Sequence, residues 1–227
     1  DLFKEQNPTR RYHASETSSA TSSRGEYFFP VTTDVNDSRS GFQLSSYDMT
    51  TIGWGCAPEV QFKMNEEYPF MSGEFVWTGF DYLGEPTPYN KDLTNLLNFS
   101  DPNELEKARK ELEELSIIKT PSRSSYFGIV DLCGFPKDRY YNYKSYWRPD
   151  VPTVHILPHW KWQERIGEIT PVHIYTSGDA VELFLNGKSL GRREKAHSYD
   201  RLTWDDVRYE PGSLRAIAYK NGQKWAE

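Results

Sequence analysis

The sequence predicts an α/β part over residues 1–150, followed by an all-β part over residues 151–227. In the first part, strand-like stretches rich in aromatic residues alternate with stretches of helical periodicity. In the second part, short alternating strands are joined by tight turns, and Asn-Gly pairs stand at 186–187 and 221–222. Arg148–Pro152 contains two prolines and separates the two patterns, so we place the domain boundary there.

The composition limits the classes of partner. A formal net charge of −6 and a pI near 5.5 argue against nucleic acid or an anionic membrane as the main partner. No apolar run approaches twenty residues, so we expect no transmembrane helix. Aromatic residues make up 15% of this polar chain, which favours as a ligand either carbohydrate or another polar molecule with flat apolar faces. Cys56 and Cys133 show no disulfide-framework or metal-ligand spacing, and we expect two free, buried thiols.

The first strand candidate of the α/β part is Arg11–Ser15, which leads directly to Glu16 and a run of hydroxyl residues, Thr17–Ser23. A carboxylate placed straight after a strand is how a barrel enzyme presents a charged catalytic group. The hydroxyls and the guanidinium of Arg24 are expected to keep Glu16 ionised and oriented. The alternative is a solvated serine-rich loop in which Glu16 is incidental.

Met71–Tyr89 is the central stretch of this part and begins as a strand. On a period of two, Phe75, Trp77, Gly79 and Asp81 share one face. The Trp77 indole can lie against the apolar face of a sugar ring, Gly79 leaves room for it, and Asp81 can accept hydrogen bonds from its hydroxyls. The alternative is a buried strand with a core tryptophan and a capping aspartate.

Three helices are expected, at Pro58–Tyr68, Asp101–Leu115 and Pro136–Trp147. The inner stripe of the first should contain Val60 and Met64. The second has a complete N-terminal signature, with an aspartate N-cap, a proline at the first position and a glutamate that closes a capping box.

Two further stretches complete the α/β part. Phe28–Ser46 carries turn residues and little periodicity, so we expect a long loop. Ser122–Asp131 returns to strand character.

The all-β part contains four clear strand candidates, at Val154–Pro158, Val172–Thr176, Val181–Leu185 and Leu214–Tyr219. Regular short strands with tight turns predict a β-sandwich. Three histidines of this part stand among strand residues with no shared metal-ligand spacing, so we interpret them as core or edge residues and expect no metal site; they are His155, His159 and His173.

Four stretches in order resemble the C-terminal part of glycoside hydrolase family 2. SETSSATSSRGEY resembles the segment around the family's nucleophile, and GEFVWTGFDYLGEPTPY resembles a late barrel segment. SSYFGIVDLCGFPKDRYYNYKSYW resembles the final strand and helix, and VHIYTSGDAVELFLNGKSLG the sandwich that follows. The resemblance covers nearly the whole chain. Within the family it is similar to the β-galactosidases of the Bacteroides type.

The resemblance implies the C-terminal part of a TIM (β/α)8 barrel over residues 1–150 and an immunoglobulin-like β-sandwich, truncated at its end, over residues 151–227. It implies a retaining mechanism, in which two carboxyl groups roughly 5–5.5 Å apart serve as nucleophile and as acid then base. Glu16 falls on the nucleophile position, while Trp77, Asp81 and Glu85 line the substrate site. No cofactor is implied.

The family's acid/base glutamate lies in an Asn-Glu pair on an earlier strand. The pair at 65–66 falls in a helix and the pair at 103–104 in a helix cap, so neither fits. We therefore expect the acid/base residue to lie upstream of Asp1 and the 227-residue chain alone to be inactive.

The resemblance also bears on the sugar. The family's β-glucuronidases carry an Asn-x-Lys-Gly clamp for the uronate, where this chain has Ser125–Gly128. A carboxylate there would meet Phe127 and no cation, at a cost of several kcal/mol. We therefore expect an exo-acting β-galactosidase that removes terminal β-D-galactosyl residues from a glycan.

We also expect the protein to lie in the periplasm or outside a bacterial cell. The sequence leaves open whether it forms a homo-oligomer.

Two alternatives remain at this point. One is another specificity of the same family, such as β-glucuronidase. The other is a non-catalytic carbohydrate-binding or interface module, in which Trp160 and Trp162 would form the platform for a sugar.

Overall fold

The structure is a computed structural model that describes residues 2–33, 42–89, 100–114 and 122–227. The first part contains α1 (Leu2–Gln6), β1 (Tyr12–Ser18), α2 (Pro58–Glu67), β2 (Met71–Trp77), α3 (Pro102–Glu114) and α4 (Asp138–Trp147). The second contains β3 (Val154–Leu157), a 3-10 turn (Gln163–Arg165), β4 (Val172–Thr176), β5 (Ala180–Leu185), β6 (Lys188–Glu194), β7 (Leu202–Trp204), β8 (Leu214–Lys220) and β9 (Gln223–Ala226). No helix in these ranges is both long and apolar enough to cross a membrane.

β1 and β2 form a two-stranded parallel sheet, with Tyr12 opposite Met71 and Ser18 opposite Trp77. Because the strands are parallel and in register at both ends, their carboxyl ends lie at one edge of the sheet. Residues that end these two strands are therefore brought together although they lie about sixty positions apart in the chain.

β1 extends further than predicted, and Glu16 lies inside it instead of after it. Thr17 and Ser18, the next two hydroxyl residues, complete β1, and the sheet and a neighbouring loop bind their side chains. Thr17 Oγ1 donates a hydrogen bond to Glu74 Oε2 at 2.9 Å, and Ser18 Oγ donates to the Cys56 carbonyl at 3.1 Å. A serine- and threonine-rich run can thus belong to a strand when its hydroxyls have partners.

The strand predicted at Ser122–Asp131 is wrong, because this stretch forms only isolated bridges. Its residues 127–130 still run beside residues 78–81 and exchange backbone hydrogen bonds of 2.9–3.2 Å with them. The approach is so close that a Cβ on Gly128 would lie 2.1 Å from the Asp81 nitrogen. An irregular, glycine-dependent contact thus takes the place of a regular strand.

α2 packs on α4 through Phe62, whose ring stacks on Tyr146 at 4.0 Å and meets Tyr143 edge-on at 5.1 Å. The predicted inner stripe is wrong, since Val60 and Met64 are 51% and 42% exposed whereas Phe62 is fully buried. The face that carries the large aromatic ring turns inward because it finds ring partners on α4.

The other two predicted helices are confirmed to within two residues at their starts. The Asp101 side chain accepts a hydrogen bond from the Asn103 nitrogen at 2.7 Å, which confirms the predicted N-cap of α3. The end of this prediction at Leu115 lies outside the described residues, as does part of the loop predicted at Phe28–Ser46. The described residues of that loop contain no helix or strand.

β3–β9 form two antiparallel sheets, in the orders β3-β4-β7 and β6-β5-β8-β9. Buried side chains from both sheets make one hydrophobic core, which includes Val172, Ile174, Leu202 and Trp204 from the first sheet and Val181, Leu183, Ala216 and Ala218 from the second. Two sheets that share one core are what the β-sandwich prediction requires. The immunoglobulin-like topology stays a prediction.

Both Asn-Gly turns join neighbouring strands, as predicted. Asn186 and Gly187 have φ values of 51° and 80°, and Asn221 and Gly222 have 51° and 75°. Two consecutive positive φ values are what a two-residue hairpin turn needs, and Asn-Gly adopts them at little cost.

The two parts of the chain pack together around Tyr47 and Arg201. The Tyr47 hydroxyl donates to the Pro171 carbonyl at 2.6 Å. Arg201, at the start of β7, donates to the Tyr47 carbonyl at 2.7 Å and pairs with Glu59 of α2 at 2.7 Å. The sandwich is thus bonded to the loop and the helix that follow β1.

Cys56 and Cys133 are both free, as predicted, but the expectation that both are buried is wrong, since Cys133 is exposed. Cys133 lies in a turn whose backbone wraps around a carboxylate, with the Cys133 and Phe135 nitrogens both donating to Asp131 Oδ1 at 2.9 Å. This polar turn lies at the surface and presents the thiol to solvent.

Candidate active site

Glu16 lies near the carboxyl end of β1 with its side chain exposed. Ser19 Oγ donates to Glu16 Oε1 at 3.3 Å, so one of the predicted hydroxyls does contact it. The predicted contribution of Arg24 is wrong, because Arg24 Nε pairs with Asp131 Oδ2 at 2.5 Å. The carboxylate of Glu16 is therefore open to a ligand.

Trp77 ends β2 and lies opposite Ser18 in the register of the sheet. It is 36% exposed, so its indole is not a core side chain. The parallel pairing therefore brings an accessible carboxylate, Glu16, and an accessible indole, Trp77, to the same edge. This is the juxtaposition that the sequence predicts for a sugar site.

Tyr82 joins these residues to Glu85 and was missed by the sequence analysis. Its hydroxyl accepts a hydrogen bond from Trp77 Nε1 at 3.2 Å and donates to Glu85 Oε2. Burial, the hydrogen bond to Glu85, and the negative charges of Glu85 and Glu16 raise the pKa of Tyr82 to about 12. We call Glu16, Trp77, Tyr82 and Glu85 the aromatic–carboxylate cluster.

A continuous strand past Trp77 would have placed Tyr82 on the opposite face, which is why the pattern did not indicate it. β2 ends at Trp77, and the backbone bends at Gly79. The alternation of faces therefore stops before Asp81, and the chain is free to bring Tyr82 back towards Trp77.

Asp81 faces inward and does not share the face of Trp77, so that part of the prediction is wrong. Its Oδ2 pairs with Lys137 Nζ at 2.6 Å, and its Oδ1 accepts from the Gly128 nitrogen at 2.8 Å and from Ser125 Oγ at 3.3 Å. The Asp81 and Lys137 side chains are 7% and 1% exposed. A direct bond from Asp81 to a sugar stays a prediction, while these contacts favour a structural role.

Lys137 lies beneath the loops around the cluster. Besides Asp81, its ammonium donates to the Ser22 carbonyl at 2.8 Å and the Tyr126 carbonyl at 3.2 Å. Burial lowers the pKa of Lys137 to about 8, although the charge of Asp81 opposes the shift. One buried ammonium thus ties the segment after β1 to the segment around Tyr126.

Phe127 is only 1% exposed, so a uronate would not meet its side chain in this geometry, and the cost expected from that contact does not apply. Beside this segment, an open cavity of about 460 Å³ is lined by polar side chains that include Arg24, Gln43 and Arg123. Asp131 also lines this cavity and pairs with Arg24, so that arginine already has a carboxylate partner.

Trp160 and Trp162 do not form a free platform. Trp160 Nε1 donates to the Glu210 carbonyl at 3.0 Å, and its ring packs against Tyr209 at 5.0 Å. Trp162 stacks on His159 at 4.2 Å. Because both indoles pack within the protein, they give no support to the binding-module alternative.

The three histidines do not converge on a site. His173 is 4% exposed and lies in the sandwich, His155 stacks on Tyr141 at 3.8 Å, and His159 stacks on Trp162. Across the parts of the chain that the structure describes, no group of three or more histidine, cysteine or acidic side chains could hold a metal ion.

Comparison with known proteins gives matches over the all-β part and over the whole chain. A family described as "Domain of unknown function (DUF4982)" matches residues 167–226. The protein named "Beta-galactosidase BoGH2A" from Bacteroides ovatus is 37% identical over 97% of this chain and 23% of its own length. A Formosa agariphila protein whose name refers to a β-glucuronidase is 34% identical over 79% of this chain and 15% of its own length.

Solved structures show the same relationship. A β-glycosidase from Bacteroides vulgatus has a TM-score of 0.72 and 28% identity over 99% of this chain and 28% of its own. A glycosyl hydrolase family 2 member from Bacteroides cellulosilyticus is alike in fold, with a TM-score of 0.60 and 22% identity over 99% of this chain and 25% of its own. The chain thus spans about a quarter or less of the length of the curated relatives it matches. With these likenesses running over almost all of its residues, the chain belongs to glycoside hydrolase family 2.

Proposed function

We propose that the chain is part of a retaining β-galactosidase and supplies its nucleophile, Glu16. The observation that carries the proposal is the parallel pairing of β1 and β2, which sets the exposed Glu16 carboxylate and the Trp77 indole at one edge. In a (β/α)8 barrel, catalytic residues come from the carboxyl ends of several strands at the same face. β1 and β2 would be two neighbouring strands of such a barrel, with an immunoglobulin-like sandwich after it.

In the reaction, Glu16 attacks the anomeric carbon of the galactosyl residue. The bond from that carbon to the leaving oxygen breaks, and the leaving oxygen takes a proton from the acid/base carboxyl group upstream of Asp1. Water then attacks the resulting glycosyl ester, gives its proton to the same acid/base group, and releases Glu16 as a carboxylate. The open position of Glu16 at the end of a strand supports this role.

The other members of the aromatic–carboxylate cluster would bind the sugar. The Trp77 indole offers an apolar face to the ring, and the Glu85 carboxylate can accept hydrogen bonds from hydroxyls. The identity of 37% to a protein named as a β-galactosidase supports galactose as the sugar.

The test uses the product of the complete reading frame that contains this chain, assayed on an aryl β-galactoside. We expect Glu16→Gln to lower kcat by about 10³-fold or more, because the amide cannot act as the nucleophile. Glu168→Gln, which changes an exposed glutamate of the sandwich, is the matched control and should leave kcat unchanged. A Glu16→Gln protein with the activity of the unaltered protein would exclude this role.

A β-glucuronidase is the second candidate. It is favoured by the Formosa agariphila relative. We expect kcat/KM to be higher for an aryl galactoside than for the matching aryl glucuronide. A value for the glucuronide that equals or exceeds it would reverse the order of the two candidates.

A further inference from the structure

The Tyr82 hydroxyl lies between two groups that the proposed function assigns to sugar binding. We propose that Tyr82 is a positioning residue, which fixes the Trp77 indole and the Glu85 carboxylate relative to each other and to Glu16. This inference rests on the proposed function and adds to it a residue that determines how the sugar is held.

The direction of the hydrogen bonds follows from the groups involved. An indole nitrogen can only donate, so Trp77 Nε1 gives its proton to the Tyr82 oxygen at 3.2 Å. A carboxylate can only accept, so the single proton of Tyr82 goes to Glu85. The phenol therefore serves as the shared partner of both groups, and a hydrogen bond between tyrosine and a carboxylate is of the stronger, charge-assisted kind.

The backbone of Tyr82 is held from both sides by Ser125, a residue that is 2% exposed. The Tyr82 nitrogen donates to Ser125 Oγ at 3.1 Å, and the Ser125 nitrogen donates to the Tyr82 carbonyl at 2.7 Å. Ser125 Oγ in turn donates to Asp81 Oδ1, which belongs to the buried pair with Lys137. The backbone that carries the phenol is therefore linked through Ser125 to the buried pair of Asp81 and Lys137.

Trp77 needs this support because its indole lies at the end of β2 and is 36% exposed. The rings of Trp77 and Tyr82 meet edge-on, with centroids 5.9 Å apart and planes at 83°. Without the hydroxyl, the ring contact would remain, but the indole nitrogen and the Glu85 carboxylate would both lose their partner. Both groups would then be free to turn away from the place of the sugar.

The test is Tyr82→Phe in the product of the complete reading frame. Because Trp77 and Glu85 would bind the sugar before and during the reaction, we expect KM for the aryl β-galactoside to rise and kcat/KM to fall by about 10- to 100-fold. Tyr219→Phe is the matched control, since it removes a phenol that also contacts a glutamate, Glu182 at 3.5 Å, but lies in the sandwich. This control should leave both constants unchanged.

A crystal structure of the Tyr82→Phe protein gives a readout that does not depend on activity. We expect the Trp77 indole and the Glu85 carboxylate to move by about 1 Å or more, a misplacement large enough to explain the loss of rate. Unchanged positions of these two side chains, or unchanged KM and kcat, would overturn the inference.

Glu16→Gln assayed in parallel separates the two claims. If Glu16→Gln is inactive and Tyr82→Phe behaves like the unaltered protein, only the role of Tyr82 fails. If Glu16→Gln keeps its activity, the proposed function fails, and the positions of Trp77 and Glu85 in the Tyr82→Phe structure still decide whether Tyr82 positions them.

Discussion

At the scale of single residues, the site depends on the buried ion pair between Asp81 and Lys137. The side chains of Asp81 and Lys137 are almost fully buried, and between them they hydrogen-bond to Ser22, Ser125 and the backbones of Tyr126 and Gly128. Removing one partner of such a pair leaves an uncompensated charge, which costs more than the pair contributes.

We therefore predict that Lys137→Met lowers the free energy of unfolding by about 3–5 kcal/mol. The double change Asp81→Asn with Lys137→Met should lose less, because the amide needs no counter-charge and keeps an acceptor for the Gly128 nitrogen. Denaturant unfolding of the complete protein measures both. Lys63→Met removes an exposed pair with Glu67 and should cost less than about 1 kcal/mol. If Lys137→Met lowered the free energy of unfolding by no more than Lys63→Met does, the buried pair of Asp81 and Lys137 would not be structural.

Site residues that can be recognised from their neighbours in the sequence were predicted correctly, whereas those whose position depends on distant partners were not. Glu16 and Trp77 follow strand-like stretches, and the parallel pairing brings them to one edge as expected. Asp81 was assigned to the wrong face and Tyr82 was missed, because their orientation depends on where β2 stops, and a period of two carries no signal for that end. Lys137 was missed because its partner lies 56 positions earlier in the chain.

At the scale of elements, the contact between residues 78–81 and 127–130 supports the site from behind. A Cβ on Gly128 would lie 2.1 Å from the Asp81 nitrogen and 2.4 Å from the Val130 carbonyl oxygen. Both neighbours are backbone atoms and cannot give way as a side chain could. A Cβ on Gly79, in the facing segment, would meet nothing within 4 Å.

We predict that Gly128→Ala lowers the free energy of unfolding by about 3 kcal/mol or more, because the two segments must separate to admit the methyl group. Gly79→Ala is the matched control and should change it by less than about 0.5 kcal/mol. Thermal or denaturant unfolding of both variants provides the measurement. Equal stabilities for the two would mean that the segments do not lie as close as described.

The elements that are specified by a short stretch of characteristic residues were predicted correctly. The Asn-Gly turns and the capped helix α3 each follow from a few neighbouring residues. The face of α2, the length of β1 and the irregular stretch at 122–131 were mispredicted. Each of these depends on partners far along the chain, namely the rings of α4, the acceptors of Thr17 and Ser18, and the backbone of residues 78–84.

At the scale of the whole molecule, the sandwich is bonded to the α/β part through Arg201, Tyr47 and Glu59. His173 of β4 lies in this junction, with its ring edge-on to Tyr47 at 4.9 Å and its Nδ1 3.4 Å from Arg201 Nη1. The two-part organisation was predicted from prolines and turns, but this junction was not, because its residues lie more than a hundred positions apart.

The junction makes stability sensitive to acid. Burial, aided by the charge of Arg201, lowers the pKa of His173 to about 3, whereas an unfolded histidine titrates near 6.5. Between these two pKa values, His173 is protonated in the unfolded chain but neutral in the folded protein. The free energy of unfolding should therefore fall as the pH drops below about 6.5, by up to about 1.4 kcal/mol per pH unit from this residue.

We predict that His173→Gln makes the dependence of unfolding free energy on pH shallower between about pH 6 and pH 4. The readout is this slope and not the absolute stability of the variant, because only the slope depends on the proton that His173 takes up on unfolding. His197→Gln changes a histidine whose side chain is 58% exposed and should keep the slope of the unaltered protein. Identical slopes for His173→Gln and the unaltered protein would show that His173 is not buried in its neutral form.

The central claim is that Glu16 forms the covalent bond to the sugar, and the most direct measurement is to trap that bond. A 2-fluoro-β-galactoside with a good leaving group should inactivate the product of the complete reading frame. The fluorine slows both the formation and the hydrolysis of the glycosyl ester, whereas the good leaving group speeds up its formation alone, so the ester accumulates. Digestion and mass spectrometry should then place one fluorogalactosyl group on the peptide that contains Glu16, and Glu16→Gln should take up none. A label on any other residue, in a protein that hydrolyses galactosides, would contradict the account.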